Sequence, residues 1–240
     1  MTAVRSAAFL VYFVGVTLVL LVPATLQRVL SGPARRQGRA LCWAQRWARA
    51  TVWGARTLCG VTCRLEGAEH VPQGPALIAA RHESAFDAFI WLLVLPRCTY
   101  VVKQELTRIP LLGKVIRAAG MIAVDRGAGA PALRRMAADV ETALAAGFQV
   151  VIFPEGTRVA PDAPVVLQPG IALLAARLDV PIHPAATDSG RLWTRRTLDK
   201  RPGTIHLALR PALPRGLPRA ALMAALAAGM RLDPVDKSVG

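Results

Sequence analysis

Two residues whose types could do acid–base chemistry stand five positions apart in ARHESAFDAF, residues 80–89: His82 and Asp87. Histidine is the usual general base near neutral pH, and a carboxylate on its second ring nitrogen fixes the tautomer and stabilises the imidazolium. The spacing sets a condition. Five residues along a regular helix turn two side chains about 140° apart, so the pair cannot meet inside one straight helix. It can meet if His82 lies in a loop after the apolar run ALIAA, residues 76–80, and Asp87 lies in the first turn of a helix. Ser84 is then a candidate N-cap. Alone, the HxxxxD string does not separate a base from a packing histidine.

The surrounding pattern supplies such a loop. Short apolar runs at 76–80, 99–102, 121–124, 150–153, 180–186 and 204–210 read as strands. Helical patterns lie between and after them, at about 84–95, 107–119, 131–146, 169–178 and 218–230. The third of these has Pro131 at its start and Gly147 at its end, as helix termini prefer. Strands separated by helices imply an α/β fold: a central, mostly parallel sheet flanked by helices. Sites in such folds gather where strands end and loops begin.

The 240 residues carry 30 Lys and Arg against 15 Asp and Glu, a formal charge of +15. That excess suits a partner with phosphates. The chain is also 53% hydrophobic. It has no Lys/Arg-rich tail and no aromatic stacking motif, which argues against nucleic acid and toward a membrane surface. The four cysteines, Cys42, Cys59, Cys63 and Cys98, form no CxxC pair. They read as structural thiols, with no metal site and no disulfide expected.

Ser6 to Gln27 contains no charged residue, and about 20 apolar residues cover the hydrocarbon thickness of a bilayer. A retained membrane helix is favoured over a cleaved signal, whose apolar stretch is shorter and ends at a small-residue site. Arg28, Arg35, Arg36, Arg39, Arg46 and Arg49 follow the segment and only Arg5 precedes it. This asymmetry predicts a catalytic body on the cytoplasmic face, whether the helix spans or dips. Residues 39–58 read as a second helix with Arg39, Arg46, Arg49 and Arg56 on one broad face. Trp43, Trp47 and Trp53 would sit at headgroup level. The expected organisation is an anchoring segment over residues 1–58 and an α/β domain over 59–240.

Three further strings follow HxxxxD in order: KQELTRIPLLGKVIRAAGMIAVDRG from Lys103, VIFPEGTR from Val151 and VPIHPAATDSG from Val180. With them the chain, over about residues 60–215, resembles the glycerophospholipid acyltransferase family, especially bacterial 1-acyl-glycerol-3-phosphate acyltransferases. The resemblance implies a fatty acyl transfer from acyl-CoA or acyl carrier protein to the hydroxyl of lysophosphatidate, giving phosphatidate, without metal or prosthetic group. It implies that His82 takes the hydroxyl proton and that Asp87 orients and charge-balances His82. Arg126, ending MIAVDR, would help hold the acceptor phosphate, and Glu155, Gly156, Thr157 and Arg158 of FPEGTR would bind the acceptor.

The residue types suit those roles. An arginine fork fits a phosphate. Gly156 permits a tight turn. Glu155 can accept from a substrate hydroxyl or order a neighbouring arginine. Pro181 and Pro184 resemble the fourth family motif, whose strand helps shape the acyl pocket, with His183 a packing residue. Lys103, Lys114 and Arg117 suit either a basic rim for phosphates or a solvated face. Two departures concern the acceptor: LQPG at 167–170 lacks the family's lysine, and DSG at 188–190 replaces NSG. Another lyso-lipid acceptor, such as a lyso-ornithine lipid, and a non-catalytic lipid-binding protein are the competing readings.

Overall fold

The computed structural model describes residues 2–30, 33–109, 112–125, 127–196 and 198–232. Two long helices come first, α1 (Thr2–Leu30) and α2 (Pro33–Gly54). Helix α1 runs through Pro23, and its stretch Thr2–Ala24 is long and apolar enough to cross a membrane. Leu41, Ala44, Ala48, Thr51 and Ala55 are buried along one side of α2 and the turn after it, while Arg46, Arg49 and Arg56 are exposed. That separation follows from apolar residues three and four apart. A π-turn over Ala55–Cys59 ends at Gly60, whose φ of +69° closes the helix in the left-handed conformation.

The body alternates strands and helices: β1 (Val61–Glu66), β2 (Ala76–Ala80), α3 (Asp87–Val94), β3 (Cys98–Lys103), α4 (Leu112–Ala118) and β4 (Ile122–Val124). Then come α5 (Gly129–Ala145), β5 (Gln149–Ile152), α6 (Pro169–Arg177), β6 (Ile182–Thr187), α7 (Ser189–Leu192), β7 (Gly203–Leu209) and α8 (Arg219–Gly229). The seven strands form one sheet in the order β1-β7-β6-β2-β5-β3-β4. Every pairing is parallel except β6 with β7. Strands β2, β5 and β6 are buried along their whole length, as continuous apolar runs covered on both faces must be.

Register decides where the site forms. Ala79 of β2 pairs with Ile152 of β5, and Ala80 pairs with Ala185 of β6. The loops after these three central strands therefore leave the sheet at one edge. His82, Phe153 and Ser189 lie within four residues of those pairs.

Three sequence expectations change. The pattern at 107–119 is two elements, a 3-10 turn over Gln104–Arg108 and then α4. Ile109 between them is extended, as a residue before proline prefers, and Pro110 follows it in the sequence. Strand β1 carries no expectation, although Val61, Cys63 and Leu65 alternate with polar residues as an edge strand should. Trp47 does not join the outer face of α2. It packs on Phe13 and Phe89, with centroids 5.8 and 4.9 Å away, and its indole N–H donates to Thr17 Oγ1 at 2.9 Å. Trp53 is 58% exposed.

The first half of α1 is tied to the body and to α2. Arg5 Nε donates to the Leu58 carbonyl at 2.7 Å, and Ser6 Oγ accepts from the Lys200 amide at 3.0 Å. Phe9 meets Trp193 edge-on at 5.2 Å, and Tyr12 Oη donates to the Ala50 carbonyl at 2.9 Å.

Candidate active site

The loop after β2 makes the bend that the HxxxxD spacing requires. His82 lies in that loop and Asp87 is the first residue of α3. His82 Nδ1 is 3.1 Å from Asp87 Oδ2. The same oxygen accepts from the amides of Glu83 at 2.8 Å and Ser84 at 2.9 Å. An oxygen that already accepts two N–H groups has an acceptor's role toward the ring as well. Nδ1 therefore carries the hydrogen, and Nε2 is the unprotonated nitrogen left for a substrate. Asp87 is fully buried, and its Oδ1 has no hydrogen-bond partner among the described residues.

Helix α3 starts later than the pattern suggests because the Asp87 carboxylate occupies the amides of residues 83 and 84. Ser84 caps a preceding tight turn: its Oγ accepts from the Phe86 amide at 3.1 Å and donates to Ser189 Oγ at 2.9 Å. The end of β6 is thereby joined to the His82 loop.

FPEGTR closes on His82 from the other side. Phe153 stacks on the imidazole with centroids 4.1 Å apart and planes 21° from parallel. Glu155 Oε2 accepts the His82 amide at 3.1 Å, and the Val159 amide donates to the His82 carbonyl at 2.8 Å. Both main-chain groups of His82, Nδ1 and one ring face are thus engaged, and the side chain is 19% exposed. Gly156, with φ of +73°, donates its amide to the Phe153 carbonyl at 3.0 Å and turns the chain outward. Thr157 and Arg158 beyond it are exposed. Arg195 donates to the Arg158 carbonyl, and Arg191 pairs with Asp162 on the same rim.

Glu155 therefore lies behind the histidine loop, 4% exposed, with one oxygen committed to the His82 amide. Arg126, the other expected phosphate ligand, lies outside the described residues. Beside FPEGTR a cavity of about 380 Å³ opens between the ends of β4 and β5 and helices α5 and α6. Val101, Leu133, Met136, Phe153 and Ile171 make much of its wall apolar. Strand β6 contributes nothing to this lining. Pro184 lies on the other side of β2 and faces Gly229, while His183 is buried and bonds the Arg210 carbonyl through Nδ1 at 3.0 Å. Lys103 pairs with Glu105 at 3.0 Å, and Arg117 donates to the Thr107 carbonyl at 2.7 Å. Asp188 of the DSG departure accepts from the His206 amide at 2.8 Å, away from the base.

Two site residues carry no expectation from sequence. Arg81 and Glu83 flank His82, and both are buried, with Arg81 Nε donating to Glu83 Oε1 at 2.7 Å. Burial pushes the Glu83 carboxyl up to about 7, against the pull of Arg81 and the Gly190 amide, and the Asp87 charge adds to the rise. Burial raises Glu155 as well, opposed by the His82 amide and Arg81. Their signal in the sequence is two opposite charges bracketing the histidine directly after a fully apolar strand. Among the described residues, no group of three or more His, Cys, Asp and Glu could hold a metal ion.

The acyltransferase profile matches residues 62–188, more than half of the chain, from β1 to the end of β6. The chain belongs to the acyltransferase family. The matched stretch of this acyltransferase holds both HxxxxD and FPEGTR. It is 31% identical over 169 residues to a 1-acyl-sn-glycerol-3-phosphate acyltransferase of Pseudomonas aeruginosa, covering 70% of this chain and 66% of that protein. It is 32% identical over 143 residues to 1-acyl-sn-glycerol-3-phosphate acyltransferase alpha of Mus musculus, covering 59% of this chain and 50% of that one. The chain thus spans between half and two thirds of the length of these relatives. In fold it is similar to the crystal structure of the 1-acyl-sn-glycerophosphate (LPA) acyltransferase PlsC from Thermotoga maritima. The TM-score is 0.74 at 20% identity, over 95% of this chain and 96% of that one.

Proposed function

We propose that this protein transfers a fatty acyl group from acyl-CoA or acyl carrier protein to the free hydroxyl of 1-acyl-glycerol-3-phosphate, forming phosphatidate. The observation that carries the reading is the His82–Asp87 pair at a loop-to-helix junction, with Nδ1 engaged and Nε2 left for an acceptor. Nε2 takes the hydroxyl proton as the oxygen attacks the thioester carbonyl. Asp87 stabilises the imidazolium that forms. When the tetrahedral intermediate collapses, the C–S bond breaks and the imidazolium proton goes to the departing thiolate. The acyl group passes directly to the acceptor oxygen, so no acyl-enzyme forms. Arg126 and Arg158 are the candidate phosphate ligands, with Gly156 and Thr157 shaping the approach. The names of the relatives support lysophosphatidate as acceptor.

Residues 1–58 form the membrane-attaching unit in this reading and 59–240 the catalytic unit, on the cytoplasmic face. Contacts from Arg5 to Thr17 fix half of α1 against the body and α2, which favours a helix seated in the near leaflet over one that crosses. Val4, Val11, Leu18 and Val22 share the exposed side of α1 and would enter the acyl region.

Purified protein given labelled acyl-CoA or acyl carrier protein and a panel of lyso-lipids, with products resolved by mass, tests the whole reading. Phosphatidate from lysophosphatidate is the expected product. Preferential acylation of lyso-ornithine lipid, or liposome binding with no acylated product from any pair, would overturn it.

A further inference from the structure

Arg81 immediately precedes the proposed base and is 4% exposed. A buried guanidinium persists only with partners, and Arg81 finds them on three segments. Nε donates to Glu83 Oε1 at 2.7 Å in its own loop. Nη2 donates to the carbonyls of Ala163 at 2.8 Å and Ala160 at 3.4 Å in the segment after FPEGTR. Nη1 lies 3.7 Å from Glu155 Oε1. Each carboxylate uses its other oxygen on the main chain: Glu155 Oε2 accepts from His82, and Glu83 Oε2 accepts from Gly190 at 3.2 Å. One buried cation therefore ties together the His82 loop, the FPEGTR turn and the start of α7. The Arg81 amide is itself fixed to the Ala185 carbonyl at 2.9 Å, where β2 and β6 end.

We propose that Arg81 is a positioning residue for acyl transfer, and that Glu155 acts on the reaction through the His82 main chain instead of by holding the acceptor. The proposal rests on His82 being the base. Proton abstraction needs Nε2 within about 2.6–3.2 Å of the hydroxyl, and a displacement near 1 Å costs on the order of 10²-fold in rate. Arg81 touches no reacting atom. It compensates the carboxylate that holds the His82 amide, and it pins the segment whose Val159 amide holds the His82 carbonyl.

The test is steady-state kinetics of Arg81→Met, Arg81→Lys, Glu155→Gln and His82→Ala in the full chain, with thermal melts alongside. The donor and acceptor are the pair that the wild type turns over. Arg81→Met should lower kcat about 10²-fold and leave the acceptor KM within about twofold. Arg81→Lys, which keeps the charge, should recover most of that loss. Glu155→Gln still offers an oxygen to the His82 amide, so its acceptor KM should stay near wild type. Full kcat in a folded Arg81→Met variant would overturn the proposal. So would a Glu155→Gln variant whose acceptor KM rises at least tenfold with kcat unchanged, and this variant decides if Arg81→Met does not fold. Activity in His82→Ala would instead defeat the base assignment, a separate failure.

Discussion

The His82 loop and the first half of α1 are both held firmly, by different forces. Around His82 the restraints are hydrogen bonds from four segments, converging on a few buried polar atoms. At α1 they are mainly aromatic faces, Phe9 on Trp193 and Phe13 on Trp47 and Phe89, with an apolar stripe left outside. Directional bonds fix an atom to fractions of an ångström, as proton transfer demands. Apolar packing fixes a body while tolerating small shifts, as attachment to a fluid surface demands. Changes in the first region should therefore cost rate, and changes in the second should cost stability or membrane affinity.

The sharpest way to break that division is Asp87→Asn. It keeps the side-chain shape but removes the charge that stabilises the imidazolium. We expect kcat to fall about 10³-fold or more with little change in the melting curve; a kcat within tenfold of wild type would place Asp87 outside the chemistry. Phe9→Ala probes the other region. It empties a buried aromatic site against Trp193 and should cost about 3–5 kcal/mol of stability, read by thermal melts in detergent. If it lowers kcat as much as Asp87→Asn does at a temperature where both fold, the two regions are not separable.

Glu83 gives a smaller effect with a defined sign. Its folded carboxyl titrates at about 7 against an ordinary 4.5, so the folded protein holds this proton more tightly than the unfolded chain. The contribution is complete below about pH 4.5 and is lost as the pH rises through about 7. It amounts to at most about 3 kcal/mol. Glu83→Gln should flatten that part of the stability–pH curve, and an unchanged slope would contradict the assignment. The smallest effect on the fold is expected from Val11→Asp, on the exposed stripe of α1. It should weaken liposome sedimentation severalfold while leaving the melting temperature within a few degrees.

The parts of this molecule written in the sequence are those set by local physics. Runs such as ALIAA at 76–80 and QVVI at 149–152 are apolar throughout because they are buried on both faces. The His82–Asp87 geometry follows from helix periodicity and spacing. Three features depend on tertiary placement and were not legible. Arg81 and Glu83 look like solvated loop charges until the folded chain buries them. Trp47 looks like a headgroup anchor until α1 and α3 close over it. Glu155 looks like an acceptor ligand in its motif, and only the chain path between β2 and β5 brings it under the His82 amide. The break at Ile109, by contrast, was written in the proline that follows it.

The central claim is that Nε2 of His82 takes the acceptor's proton. Its most direct measurement is the turnover of purified His82→Ala with a labelled acyl donor and lysophosphatidate, with circular dichroism and thermal melts on the same sample. Turnover should fall by about three orders of magnitude or more with the fold intact. Wild-type turnover in the folded variant would contradict it.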